Sequence, residues 1–177
     1  MVEMKKGYVR LAMPDIQEDS IVDGEGIRSV IWFQGCPHHC KECQNPETWD
    51  FNAGVEVAIE DIKKQIDELE YQAGVTFSGG DPMSQIEALV ELAKYVKEKG
   101  MNVWCYTGFI YEDLVKMGEK NPLYKEVFDY IDVLVDGPFE IDLKSFEVAF
   151  RGSSNQRLID IAKTKEKGKV ITLEKYK

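Results

Sequence analysis

Histidine is nearly absent from this chain and cysteine is scarce, with two and four copies in 177 residues. Four cysteines are too few for a disulfide scaffold. None is needed, because a chain of this length buries roughly 70% of its unfolded surface. No apolar run approaches the ~18 residues of a membrane span. The opening MVEMKKGYVRLAM also lacks the apolar stretch of a signal peptide. A cytoplasmic protein with no membrane partner is therefore expected. Basic residues are outnumbered, 22 against 32 Asp and Glu, for a net charge of −10. That balance disfavours a nucleic-acid partner, since neutralising phosphates requires a basic surface. There is no repeat, no low-complexity tract and no G-x-G-x-x-G or Walker-type loop. No Ser–His or His–carboxylate pairing calls for separate acid–base or nucleophilic catalysis.

What is present is ordinary globular composition, 44% hydrophobic and 31% charged. One domain over residues 1–177 is expected, with a core from about 23 to 157. Apolar runs at Tyr8–Met13 and Val30–Phe33 predict strands, as do Val75-Thr76-Phe77, Val103–Tyr106 and Val133–Val135. Between them, Ile59, Ile62, Ile66 and Leu69 share one face of a helix expected over 56–73, closed by Gly74. Ile86, Leu89, Val90, Ala93 and Val96 predict a second, starting at Ser84 and stopped by Gly100. Shorter helical patterns lie near Tyr111–Gly118 and Pro122–Tyr130. The tail, Arg157–Ala162 and Lys169–Leu173, predicts a hairpin or two edge strands around Lys167-Gly168, with Lys163–Lys169 at a solvated tip.

Strands alternating with helices imply an α/β fold with a mostly parallel sheet. In such a sheet the carboxyl ends of the strands share one edge, where ligands bind. Gly35-Cys36, Ser78-Gly79-Gly80-Asp81, Thr107-Gly108 and Asp136-Gly137 each follow a strand and should converge there.

Three of the four cysteines crowd into one segment, Cys36-Pro-His-His-Cys40-Lys-Glu-Cys43, a C-x3-C-x2-C loop. Three thiolates on so short a loop suit an iron–sulfur cluster or zinc. A zinc site would need His38, His39 or Cys105 as a fourth ligand, and no second C-x2-C knuckle exists to supply one. An iron–sulfur cube held by three cysteines would keep one iron open for an exogenous ligand. Cys105, inside an apolar strand, reads as a small buried hydrophobe and the histidines as exposed loop residues. In Ser78-Gly79-Gly80-Asp81-Pro82 the glycines permit close backbone approach, and Asp81 could accept bonds from an ammonium group. Arg28, at the end of Asp23-Gly-Glu-Gly-Ile-Arg28, could meet an anionic group, a partner or a nearby acid.

The C-x3-C-x2-C loop with the glycine turn after the next strand resembles the radical S-adenosylmethionine superfamily. G-x-G-x-R followed by W-F-Q-G-C resembles the glycyl-radical-enzyme activases, with Glu25 standing where proline and Trp32 where phenylalanine is common. Gln44–Trp49, Tyr106-Thr107-Gly108, Asp132–Phe139 and Phe150–Arg157 resemble the activases of anaerobic ribonucleoside-triphosphate reductase in particular. The pyruvate formate-lyase activases are the nearest competitor. The resemblance implies a [4Fe–4S] cluster on Cys36, Cys40 and Cys43, whose open iron binds the methionine end of S-adenosylmethionine. It further implies cofactor contacts from Glu42, Cys43, Gln44, Ser78, Gly79, Gly80, Asp81, Thr107 and Asp136. Glu42 occupies a slot that is aromatic in many members, so its contact would come from the backbone. One-electron cleavage of the cofactor would give a 5′-deoxyadenosyl radical that takes a hydrogen atom from a glycine of the reductase. A flavodoxin- or ferredoxin-type donor would supply the electron. The implied architecture is an incomplete βα barrel of mostly parallel strands, helices outside, open on one side.

Overall fold

The computed structural model describes residues 4–176, so the extreme ends of the expected 1–177 domain lie outside the described residues. The strands are β1 (Tyr8–Leu11), β2 (Gln17–Ser20), β3 (Arg28–Phe33), β4 (Val55–Ala58), β5 (Gly74–Gly79), β6 (Asn102–Tyr106), β7 (Val133–Asp136) and β8 (Arg157–Asp160). The helices are α1 (Ile59–Asp67), α2 (Ile86–Glu98), α3 (Tyr111–Met117), α4 (Leu123–Glu126) and α5 (Ile161–Lys167). All eight strands form one sheet in the order β4-β1-β3-β5-β6-β7-β8, with β2 paired to β3.

Only the central block β3-β5-β6-β7 is parallel. The flanking pairs β1–β3, β1–β4, β2–β3 and β7–β8 are antiparallel, which corrects the expectation of a mostly parallel sheet. Parallel neighbours need a crossover, and α1, α2 and the α3–α4 pair supply one each. The flanks lack such crossovers. The sheet path ends at β4 and β8, and no pairing joins those two strands among the described residues.

Side chains alternate across a strand with a period of two, and here the alternation separates two environments. Ile31, Phe33, Val75, Phe77, Val103, Cys105 and Leu134 pack in the main core with Ile62 and Ile66 of α1 and Leu89, Leu92 and Val96 of α2. Complete burial of each such aliphatic side chain contributes about 1.5–3 kcal/mol. The intervening residues form the other face. Trp104, Val133, Val135 and Leu158 pack there against Tyr106, Phe150, Leu173 and Tyr176. On that face Val30 is in register with Thr76, Thr76 with Trp104, and Trp32 with Ser78.

Three local expectations change. The helix expected over 56–73 is α1 alone, because Val55–Ala58 is extended and pairs with Tyr8–Leu11. The helix ends at Asp67, and Gly74 opens β5. Before α2 the chain makes a single 3-10 turn, Pro82–Gln85, capped by the Asp81 side chain, so the helix begins at Ile86 and not at Ser84. The tail is not a simple hairpin. Lys163 lies inside α5, where Asp160 accepts from the Lys163 amide at 3.0 Å and Gly168, at φ +68°, terminates the helix. The chain then returns to the sheet edge, where Asp160 N–H donates to Ile171 O at 2.8 Å and Leu173 N–H to Leu158 O at 2.9 Å. β2 was not expected at all: its sequence, Gln-Glu-Asp-Ser, carries no apolar alternation.

Candidate active site

The parallel strands β3, β5 and β6 each end in a glycine turn that lets another segment approach closely. At the end of β5, Gly79 has φ +104°, and a Cβ there would press on the Phe33 carbonyl and amide. A Cβ on Gly80 would press on the Gly35 carbonyl. Without side chains, Gly80 N–H reaches Phe33 O and Asp81 N–H reaches Gly35 O, both at 2.8 Å. The glycine turn is thereby stitched to the start of the cysteine loop. That loop is closed from its other side, where Gly35 N–H donates to Thr48 O at 2.7 Å and Cys36 N–H to Trp49 O at 3.2 Å. Buried Gln34 adds two bonds from Nε2, to Glu47 O and Asp50 O. Inside the loop, His39 and Glu42 adopt positive φ, +48° and +58°, which reverses the chain between cysteines.

Cys36, Cys40, Cys43 and Gln44 line one cleft of about 280 Å³ together with Ser78, Gly79, Gly80 and Thr107. Tyr106, Phe139, Gly152 and Gln156 complete its far wall. Three of the expected contacts, Glu42, Asp81 and Asp136, lie outside that lining. Glu42 is exposed and outside the lining. Asp136 is 1% exposed, and its carboxylate is instead engaged by Arg157 Nε at 3.0 Å, Arg157 Nη2 at 2.5 Å and Tyr111 N–H at 2.8 Å. The loop over 150–157 is tied to the cleft wall: Gln156 Oε1 accepts from Gly152 and Ser153, and its Nε2 donates to Gly137 O.

Asp81 lies beneath the lining, fully buried. Its carboxylate accepts from Met83 N–H at 3.0 Å, Thr107 Oγ1 at 3.0 and 2.9 Å, and Gly108 N–H at 2.9 Å. A fourth partner is His38 Nε2 at 2.5 Å. This is a His–carboxylate pair where none was expected, and His38 is half-buried, not an exposed loop residue. Its signal in the sequence was slight: one of two histidines, 43 residues from its acid. His39 does match its expectation of exposure; its ring stacks on Trp49 at 4.7 Å with planes 6° apart.

Each cleft thiol has an amide donor. The backbone N–H of His38 faces the Cys36 sulfur and that of Phe139 faces Cys40. Asn45 N–H lies 3.4 Å from Cys43 Sγ. Burial nevertheless pushes the Cys36 thiol up to about 11 and raises Cys40 as well. Both are protonated at neutral pH until a metal displaces the proton. The donor set suits a cluster with three protein ligands: thiols on one cleft, each with an amide to stabilise the thiolate. A closed zinc tetrahedron fits less well. Cys105 is fully buried within β6, away from the cleft, and His38 is committed to Asp81. Among the described residues, no three His, Cys, Asp or Glu side chains are gathered around a single ion position.

Arg28 meets no carboxylate. At 1% exposure its guanidinium donates to Thr76 Oγ1, Glu25 O, Val75 O and Asn102 O, and it lies 5.5 Å from the Trp104 ring. Gly24, at φ +131°, leaves the space that Arg28 and Trp104 fill. No helix among the described residues is long and apolar enough to cross a membrane.

Residues 22–159 match the family model described as a 4Fe-4S single cluster domain. The anaerobic ribonucleoside-triphosphate reductase-activating protein of Escherichia coli (strain K12) is 36% identical over 144 residues, covering 77% of this chain and 90% of that one. Its counterpart in Salmonella typhimurium is 35% identical over 144 residues with the same coverage, 77% and 90%. That of enterobacteria phage T4 is 33% identical over 143 residues, covering 77% and 86%. QueE from Escherichia coli superposes with a TM-score of 0.44 at 18% identity over 57% of this chain and 52% of that one, too loose a likeness to bear on the assignment. With its cysteine loop, glycine turn and cleft inside the matched span, the chain belongs to the 4Fe-4S single cluster domain family and, within it, to the anaerobic ribonucleoside-triphosphate reductase-activating proteins.

Proposed function

We propose that this chain is a radical S-adenosylmethionine activase that forms the glycyl radical of an anaerobic ribonucleoside-triphosphate reductase. The observation that carries the reading is the meeting of two motifs at one edge of the sheet: three cysteine thiols and the Ser78-Gly79-Gly80 backbone share a single cleft. Cys36, Cys40 and Cys43 would hold a four-iron cluster. When bound and reduced, such a cluster supplies one electron to the sulfonium of S-adenosylmethionine. Ser78, Gly79 and Gly80 would present backbone groups to the cofactor's methionine end, and Thr107 and Gln44 would add polar side chains beside it. Asp81 orders Thr107 and Gly108 from below. Tyr106, on the cleft wall, is held by its hydroxyl bond to Phe150 O at 2.7 Å.

The side of the cleft away from the helices is where a glycine-bearing loop would enter, since glycine brings no side chain into a narrow site. An incomplete barrel, open between β4 and β8, agrees with the unjoined strand path. A flavodoxin- or ferredoxin-type protein is the proposed electron donor. The test is electron paramagnetic resonance on reduced, cluster-loaded protein mixed with S-adenosylmethionine and the reductase. A glycyl-radical doublet is expected. A doublet with a formate-lyase-type partner and none with the reductase would move the assignment to that activase type, and cofactor left uncleaved would end the radical reading.

A further inference from the structure

We infer that His38 is a positioning residue, pinning the cysteine loop to the buried carboxylate that orders the glycine turn and the Thr107-Gly108 segment. The inference rests on the activase reading and assigns a role to a residue that lies between the cluster ligands without being one.

Four features of the imidazole's surroundings agree. Its Nε2 lies 2.5 Å from Asp81 Oδ2, and since a carboxylate only accepts, that nitrogen carries the hydrogen. The ring occupies a space that exists only because residue 108 is glycine: a Cβ there would run into ring carbon Cδ2 and lie 2.7 Å from Nε2. Phe109 meets the ring edge-to-face at 4.5 Å and 77°. Finally, His38's own amide faces the Cys36 sulfur, so the ring that fixes this residue also aims a donor at a ligand atom.

The connectivity gives these contacts their consequence. The cysteine loop follows β3, Asp81 follows β5 and Thr107-Gly108 follows β6. Asp81 already joins the last two through Thr107 Oγ1 and Gly108 N–H. The cysteine loop meets the glycine turn through backbone bonds only at its root, Gly35. Further along, between Cys36 and Cys40, the side-chain tie to Asp81 is His38. Removing it leaves the thiols on their loop but frees that loop to shift against the turn. Displacement of this kind weakens productive binding of a ligand that must touch both segments, with the ligating atoms themselves intact. His39 provides the contrast, one residue away with its ring on Trp49 and outside this network.

The test compares His38→Leu, His38→Gln, Gly108→Ala and His39→Asn with the parent, all reconstituted anaerobically. His38→Leu should retain iron, show altered resonance of the reduced cluster, and lose much of the spectral change caused by S-adenosylmethionine. Its KM for the cofactor should rise about 10-fold or more, with kcat affected less, as expected for loss of a hydrogen bond to a buried charge. His38→Gln, which can place a donor nitrogen near the Nε2 position, should restore most of both signals. His39→Asn, which tolerates the positive φ, should resemble the parent. Parent-like spectra and KM in His38→Leu would overturn the inference. Should His38→Leu fail to hold iron, Gly108→Ala decides: it keeps the histidine but fills its space, and an unchanged KM there would overturn the inference. A parent that fails to cleave the cofactor counts against the activase reading, whereas a competent parent with an indifferent His38→Leu counts only against His38.

Discussion

Arg28 shows how a residue can sit in a family motif and still have a structural task. A guanidinium at 1% exposure, with no carboxylate on it, is costly to bury, and burial lowers its pKa to about 10. It persists because its donors are taken up by Thr76 Oγ1 and by the Val75 and Asn102 carbonyls at the roots of β5 and β6. Arg28→Met should therefore destabilise the fold by about 3 kcal/mol, through loss of these buried hydrogen bonds. Arg28→Lys should recover only part, because one ammonium cannot serve so many separated acceptors. Urea unfolding measures both, and a methionine variant as stable as the parent would contradict this account. Gly80→Ala follows from the same accounting of space. The new methyl group would meet the Gly35 carbonyl, main chain on both sides, so no side chain can yield. We expect a loss of about 3 kcal/mol or more and a displaced cysteine loop; full stability and normal iron loading would refute it. The cysteines and glycines were legible in the sequence because their chemistry lies in short local spacings. The partners of Asp81 and Arg28 were not, since His38, Thr107, Thr76 and Asn102 stand 26 to 74 residues away from them and only the fold selects them.

At the level of elements, the strands with continuous apolar runs were readable, and those without were not. β3, β5, β6 and β7 are buried on both faces, which writes itself into sequence as Val, Ile, Phe and Trp. β2 and β4 lie toward the antiparallel flank and are largely exposed, so little pattern marks them. α5 was missed for another reason: the short helix buries only Ile161 and Thr164, and its lysines resemble a solvated turn. β8, in contrast, is fixed by a side-chain clasp. Arg157 bridges Asp136 on β7 and Glu112 on α3, the latter through Nη1 at 3.1 Å and Nη2 at 2.8 Å. The bond from Arg157 holds the Glu112 carboxyl below its ordinary range of about 4.5. A lowered carboxyl contributes stability that is present above the unfolded-state value and is lost as pH falls through the folded-state value. Because Glu112 is 49% exposed, its share is about 1 kcal/mol at most. Glu112→Gln should thus be slightly less stable than the parent at pH 7, with the difference shrinking toward pH 3. Unfolding curves at the two pH values read this directly, and a gap that persists or widens in acid would exclude the clasp as its source.

For the whole molecule, the sheet acts as a partition between four thiols of identical chemistry. Cys105 is in the strand between Trp104 and Tyr106, yet it points the opposite way, into the helix-covered core, where burial raises its pKa well above the ordinary value. Cys36, Cys40 and Cys43 stand past the end of β3, in the cleft where backbone amides reach their sulfurs. The period-two alternation of β6 thus removes one cysteine from competition for metal, a division the sequence suggested from apolar neighbours alone. Anaerobic reconstitution tests the partition. The parent and Cys105→Ala should each take up about four irons per chain with the same charge-transfer absorption, as a single cube requires. Cys105→Ala should cost only about 1 kcal/mol of stability, from the small cavity it leaves. Cys40→Ala should fail to retain the cluster while unfolding near the parent's apo midpoint, because Cys40 lies in the loop and contributes nothing to the core. Iron lost from Cys105→Ala and kept by Cys40→Ala would reverse the roles of the two environments, and with them the placement of the reactive centre at this edge of the sheet.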